Sequence, residues 1–194
     1  MRLQPTLKVI LLVVTLMMGC DKHQPVSKPS ARGNPGAEDR YLVKFTTSDG
    51  VIPQSASARY QIINRTCIPI DHTTAVGGRR PLFQHGVEVP LHQGDNGTFT
   101  GAVYADAIVP EDYYGLGACE WELSGVDVRA RTASGLDVAA SVGRPSGGAT
   151  TQTEKQICPE LAKHYLPVYG CLSESADVAP EDYPLHVKVQ LIRE

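Results

Sequence analysis

The residues best suited to chemistry are few and scattered. The chain carries five cysteines and six histidines, and a hydrolytic centre built from them would need a nucleophile, a base and a group that orients the base. His72, His85, His92, His164 and His186 stand apart from one another. No G-x-S-x-G elbow, S-x-x-K pair, H-E-x-x-H zinc helix, phosphate-binding loop or G-x-G-x-x-G turn surrounds them. Asp71 beside His72 is the most suggestive pair, but adjacent residues in a loop ordinarily hydrate separately. A zinc site would draw on the cysteines and His164, yet no C-x-x-C pair exists and the spacing is not that of a ligand set. Calcium at Asp106, Glu111 and Asp112 would need several converging oxygens, and this run lacks the ligand period of a calcium loop. The expectation is a chain with no catalytic residue, no metal and no cofactor, which is not an enzyme.

Two segments look more like surfaces for recognition. Residues 69–86, PIDHTTAVGGRRPLFQHG, are long for a connection between strands and offer Arg79 and Arg80 after a glycine pair, then Phe83. Arginine and aromatic side chains are the residues that interface hot spots favour. The same segment would serve equally to cover a sheet edge with Leu82 and Phe83. The second surface is Glu111, Asp112, Tyr113 and Tyr114, whose tyrosines suit either a core or an interface. Its opening, VPEDY at 109–113, recurs as APEDY at 179–183. A proline followed by acids starts a turn leading into a strand, which would be useful twice without a shared ligand.

These loops need a scaffold, and the chain reads as strands. Tyr41, Val43 and Phe45 alternate with Leu42, Lys44 and Thr46, and Tyr60 and Ile62 with Arg59 and Gln61. Val87, Val89 and Leu91 lead into the turn GDNG at 94–97, after which Phe99, Val103 and Ala105 resume, the pattern of a hairpin. Trp121 and Leu123 share one face. After Ser124 and Gly125 the apolar phase switches to Val126, Val128 and Ala130, which predicts a bulge there. Leu136 to Val142 and Leu185 to Leu191 alternate in the same way. Seven to nine short strands without intervening helices predict an all-β, antiparallel, immunoglobulin-like β-sandwich. One short helix is expected over residues 159–165, where Pro159 suits a first turn. Residues 144–156, RPSGGATTQTEKQ, read as a mobile loop.

The front of the chain is different in kind. Arg2 and Lys8 precede an apolar run from Val9 to Met18, too short for a comfortable membrane span and suited to a secretory signal. Export implies an oxidising compartment. With Cys20 set aside, Cys67, Cys119, Cys158 and Cys171 would form two disulfides. Three pairings are open, and the strand pattern favours Cys67 with Cys119, as a bridge between facing sheets, and Cys158 with Cys171. Residues 21–39 are polar, hold Pro25, Pro29 and Pro35, and read as a flexible linker with a reach of roughly 20–25 Å. The predicted organisation is a signal at 1–19, Cys20 and linker at 20–39, and a sandwich at 40–194. Without the signal, sixteen basic side chains face twenty-one acidic ones, the wrong sign for a nucleic-acid partner.

LMMGC at 16–20 resembles the lipobox of bacterial lipoproteins. The resemblance implies cleavage after Gly19, lipidation and acylation of Cys20, and anchoring to a cell-envelope membrane facing the periplasm. Several acyl chains exceed what stable anchoring needs. Asp21 resembles the enterobacterial signal for inner-membrane retention, so either membrane remains open. Lipobox, linker and one disulfide-bridged β domain together resemble the small lipoproteins of proteobacteria. Residues 106–121, with their DYYGLGACEW core, resemble a segment of immunity lipoproteins that guard against type VI secretion effectors. That likeness implies a protein partner, a toxin effector, which the domain would occlude. The other readings are an assembly lipoprotein of an envelope complex and a cell-envelope hydrolase.

Overall fold

The alternation seen in the sequence becomes two sheets. In the computed structural model, which describes residues 24–47, 50–73, 77–159, 169–175 and 183–194, β1 (Arg40–Thr47) buries Tyr41, Val43 and Phe45 and turns Lys44 and Thr46 outward. It is followed by β2 (Val51–Ile62), β3 (Gln84–Val89), β4 (His92–Gln93), β5 (Thr98–Tyr104), β6 (Trp121–Thr132), β7 (Asp137–Gly143), β8 (Thr151–Cys158), β9 (Tyr169–Gly170), β10 (Leu172–Ser173) and β11 (Leu185–Arg193). One sheet has the order β10-β8-β11-β1-β5-β4, the other β3-β2-β6-β7-β9. All pairings are antiparallel except the short parallel contact of β7 with β9. Eight of the strands have six residues or more, within the expected number, and three are two-residue edge pieces. The sole helical element among the described residues is a single 3-10 turn, Arg65–Cys67. The helix expected over 159–165 falls almost wholly outside the described residues.

Two compact units are distinguishable. Lys28–Ile68 with Leu82–Glu194 forms the sandwich, whereas Pro69–Pro81 groups with the N-terminal stretch that ends at Ser27.

The inner faces of the sandwich carry the core. Register sets Val43 against Leu191 and Phe45 against Val189 in one sheet, and Ala56 against Val128 and Tyr60 against Leu123 in the other. Two side chains tie the sheets to each other. The Tyr60 hydroxyl donates to the Tyr104 carbonyl at 2.6 Å. Burial, with the Asp106 charge nearby, pushes that phenol up to about 12. Gln156 is itself buried, and its Oε1 accepts the Ser141 N–H at 3.0 Å, joining β8 to β7. A buried polar group is tolerated when it is hydrogen-bonded in this way. The bulge expected at Ser124 and Gly125 is present: Arg59 faces Gly125 and Tyr60 faces Leu123, leaving Ser124 as the extra residue. A side chain at Gly125 would run into the Val142 carbonyl.

Several local expectations are corrected. The hairpin read from residues 87–105 is shorter, because β3 belongs to the five-stranded sheet and only β4 pairs with β5. Pro90, which cannot donate to a ladder, lies where the chain leaves one sheet for the other. Residues 151–156, read as loop, belong to β8 and pair along β11. The strand escaped notice because its inward positions are Gln152, Glu154 and Gln156, and the first two satisfy each other through a 2.9 Å hydrogen bond. The linker is also shorter than predicted. Asn34 N–H donates to the Ala107 carbonyl and Val109 N–H to the Arg32 carbonyl. The Asp106 carboxylate accepts the amides of Glu38 and Asp39. Residues 32–39 are therefore fastened along 105–109, and the ordered sandwich begins before Arg40. Partial desolvation would raise the Asp106 carboxyl, but those amides outweigh it and hold the group below the usual range.

Both disulfides pair as predicted, Cys67 with Cys119 and Cys158 with Cys171. The first does not bridge facing sheets. Cys67 follows β2 and Cys119 precedes β6, adjacent strands of one sheet, so the bond closes the end of that sheet. The second is at a crossing between sheets. Cys171 lies between β9 and β10, which belong to different sheets, and its bond to Cys158 secures the chain to the end of β8.

Candidate functional site

The end of the five-stranded sheet closed by Cys67–Cys119 displays residues 111–119 as a compact loop. An antiparallel bridge between Glu111 and Cys119 forms its neck, with the Cys119 N–H donating to the Glu111 carbonyl at 2.8 Å. Asp112 organises the interior. Its Oδ1 accepts the backbone N–H groups of Tyr114 at 3.3 Å and Leu116 at 3.0 Å. Desolvation alone would raise the carboxyl, yet the amides of Gly117, Tyr114, Gly115 and Leu116 together hold it low. Gly115 and Gly117 have φ of 72° and 99°, conformations in which a β-carbon is strained.

Asn64 fastens this loop to the sheet. Its Nδ2 donates to the Ala118 carbonyl at 2.8 Å and its Oδ1 accepts the Glu120 N–H at 2.7 Å. Beneath it, Trp121 donates from Nε1 to the Tyr113 hydroxyl at 3.2 Å, and the His85 ring meets Trp121 edge-on. Desolvation, with Lys28 nearby, lowers the pKa of His85, which favours the neutral imidazole against that indole. Tyr113 and Tyr114 meet edge to face at 6.3 Å. The result is a loop held by its own hydrogen bonds. Tyr113 and Tyr114 are half-buried, and Leu116 between the two glycines is 52% exposed.

Of the four residues expected to bind in this segment, two are turned to structural work. Asp112 caps its own loop, and Glu111 pairs with Arg32 at 2.6 Å. Tyr113, whose hydroxyl accepts from Trp121, and Tyr114 are half-buried and keep some surface open to solvent. Leu116 and Asn64 were not read from the sequence. The signal for Leu116 was the flanking glycines, which mark a loop tip. Asn64 carried no signal, because its partners lie more than fifty positions away.

Residues 69–86 are divided between the two units, Pro69–Pro81 in the smaller and the rest in the sandwich. In the smaller unit, Asp71 and Arg79 exchange backbone hydrogen bonds of 2.8 and 2.9 Å that close a turn. The buried Asp71 carboxylate accepts from the Thr73 hydroxyl at 2.6 Å and the Thr73 amide at 2.8 Å. The hydroxyl, then that amide, hold it below the usual range. This bonding gives Asp71 a structural role beside His72. Arg79 is exposed and Arg80 half-exposed. In the sandwich, Phe83 is buried and Leu82 is 57% exposed, so the aromatic ring expected to grip a partner faces away from solvent.

The oxygens weighed for calcium diverge. Asp106 serves Glu38 and Asp39, Glu111 serves Arg32, and Asp112 serves its own loop. Among the described residues no group of three or more His, Cys, Asp or Glu side chains is arranged to hold a metal ion. Cys20 and His164 lie outside the described residues. No family model, curated protein or solved structure matches the chain.

Proposed function

We propose that this protein is a lipid-anchored, periplasm-facing binding module that inhibits a secreted antibacterial effector by covering part of its surface. The observation that carries the reading is the loop 111–119: Tyr113, Tyr114 and Leu116 are presented on a backbone already ordered by Asp112, Asn64 and the Cys67–Cys119 bond. A preordered aromatic and aliphatic cluster loses little conformational entropy on binding, which makes affinity depend on shape rather than on folding of the loop. The lipobox resemblance at 16–20 supports the anchor. Residues 32–39 are bonded to the domain, so they do not contribute to a tether. Confinement near the membrane raises the effective concentration at which such a module meets its target.

The resemblance of residues 106–121 to immunity lipoproteins supports an effector as the partner. The test is to recover the lipidated protein from its own cells with the neighbouring genes expressed, then assay the recovered enzyme with wild type and with the Tyr114→Ala, Leu116→Asp double variant. Stoichiometric inhibition by wild type, lost by at least tenfold in the double variant at unchanged melting temperature, is the expected result. Equal inhibition by both proteins rejects this loop. Recovery of resident envelope proteins alone replaces the inhibitor reading with the assembly role.

A further inference from the structure

The outward face of the six-stranded sheet carries a depression of about 390 Å³ on β1, β11 and β8. Register places Lys188 of β11 directly between Thr46 of β1 and Lys155 of β8. Like charges directly opposed across a strand pair are destabilising. The same chain avoids that arrangement on its other outward face. There Arg131 opposes Asp137 with paired hydrogen bonds of 2.7 and 3.2 Å, and Arg59 lies 3.0 Å from Asp127. Among the described residues the carboxylate beside these lysines is that of Glu174, whose N–H donates to the Lys155 carbonyl. Its oxygens lie 4.0 Å from Lys155 Nζ and 3.6 Å from His186 Nδ1. Among the described residues Glu174 thus serves Lys155 and His186, and no carboxylate lies within ion-pair distance of Lys188, so two opposed ammonium groups border the concavity with one carboxylate beside one of them.

We propose that this depression binds a phosphate group, with Lys155 and Lys188 on either side of the anion, the Thr46 hydroxyl donating from β1, and Glu174 as the internal competitor that the ligand displaces. Two ammonium groups on opposed strands can share one tetrahedral oxyanion, since each supplies freely rotating donors to different oxygens. The volume lies within the range of small-ligand sites, larger than a bare phosphate requires, which leaves space for an esterified substituent. The phosphate could belong to a lipid headgroup of the anchoring membrane or to a free anion. This site is separate from the loop 111–119, so its failure would leave the inhibitor reading untouched.

The test is calorimetric titration of the full chain in a nonionic detergent, at constant ionic strength, with inorganic phosphate in one series and water-soluble dihexanoyl phosphatidylglycerol in the other. Wild type is expected to bind, Lys155→Gln with Lys188→Gln to weaken binding by roughly tenfold, and Glu174→Gln to tighten it severalfold by removing the competitor. Tighter binding of the lipid than of phosphate assigns the headgroup as source; equal or tighter binding of phosphate assigns the free anion. No binding of either probe, or binding unaffected by both the lysine and the glutamate substitutions, overturns the proposal. A melting temperature for each variant shows that the fold is intact.

Discussion

The two outward faces of the sandwich treat charge in opposite ways. On the five-stranded sheet each arginine named above has its carboxylate, Arg131 with Asp137 and Arg59 with Asp127, and the end of that sheet is closed by a disulfide. On the six-stranded sheet Lys155 faces Lys188, and Glu174 lies 4.0 Å from Lys155. The difference teaches that charge pairing here is not a uniform surface property. One face sets Arg131 and Arg59 each beside an acid. The other sets two lysines against each other across a strand pair.

The largest way to test this contrast is through the two disulfides, one on each side of it. Replacing Cys67 and Cys119 by serine should lower stability by about 4 kcal/mol, and replacing Cys158 and Cys171 by about 3 kcal/mol, from the lengths of the loops they close. Urea unfolding measures both. A larger loss from the second pair would mean that the crossing between sheets matters more than loop length.

A smaller effect separates the faces directly. Lys188→Glu turns an opposed like pair into an opposed unlike pair and should raise stability by about 0.2–1 kcal/mol, while abolishing phosphate binding. Asp137→Lys makes the reverse change on the other face and should lower the melting temperature. If both substitutions lower it, the repulsion inferred between Lys155 and Lys188 is absent.

The smallest effects are in the pH dependence of the five-stranded face. The Arg131 hydrogen bond holds the Asp137 carboxyl below its ordinary range, so the folded state favours its charged form. Its contribution is present above the unfolded value near pH 4 and is lost as pH falls through the folded value. Asp127 has the opposite sign. Burial raises its carboxyl despite Arg59 and Arg129, so its contribution is full below the unfolded value and is lost as pH rises through the folded one. At neutral pH Asp137→Asn should be less stable than wild type and Asp127→Asn more stable. Both should converge on wild type in acid. Melting curves from pH 2 to pH 7 would show it, and curves that stay parallel across this range would contradict the assigned signs.

Much of the scaffold was legible because burial imposes a period. Tyr41, Val43 and Phe45, and again Val187, Val189 and Leu191, alternate because one face of each strand must leave water. The slip at Ser124 and Gly125 was legible for the same reason, as a break in that period. β8 was not legible, since its inward positions Gln152, Glu154 and Gln156 are polar, the first two bonded to each other and the third to Ser141 of β7. The candidate site was half legible: tyrosines beside acids marked a loop of interest and the sequence left Phe83 open between a partner and a sheet edge, but nothing local revealed that Asp112 would spend its charge on its own backbone.

By itself, then, the sequence determined the all-β class and the place of the bulge and favoured the two cysteine pairs that form, because each of these readings follows from the period of apolar residues. Only the tertiary structure decided which strands are neighbours. That assignment moved β3 away from the hairpin, put Cys67–Cys119 within one sheet, fastened residues 32–39 to Asp106 and set Lys155 against Lys188. Each of these joins residues far apart in the chain, and their partners are chosen by the packing of whole sheets rather than by any local preference.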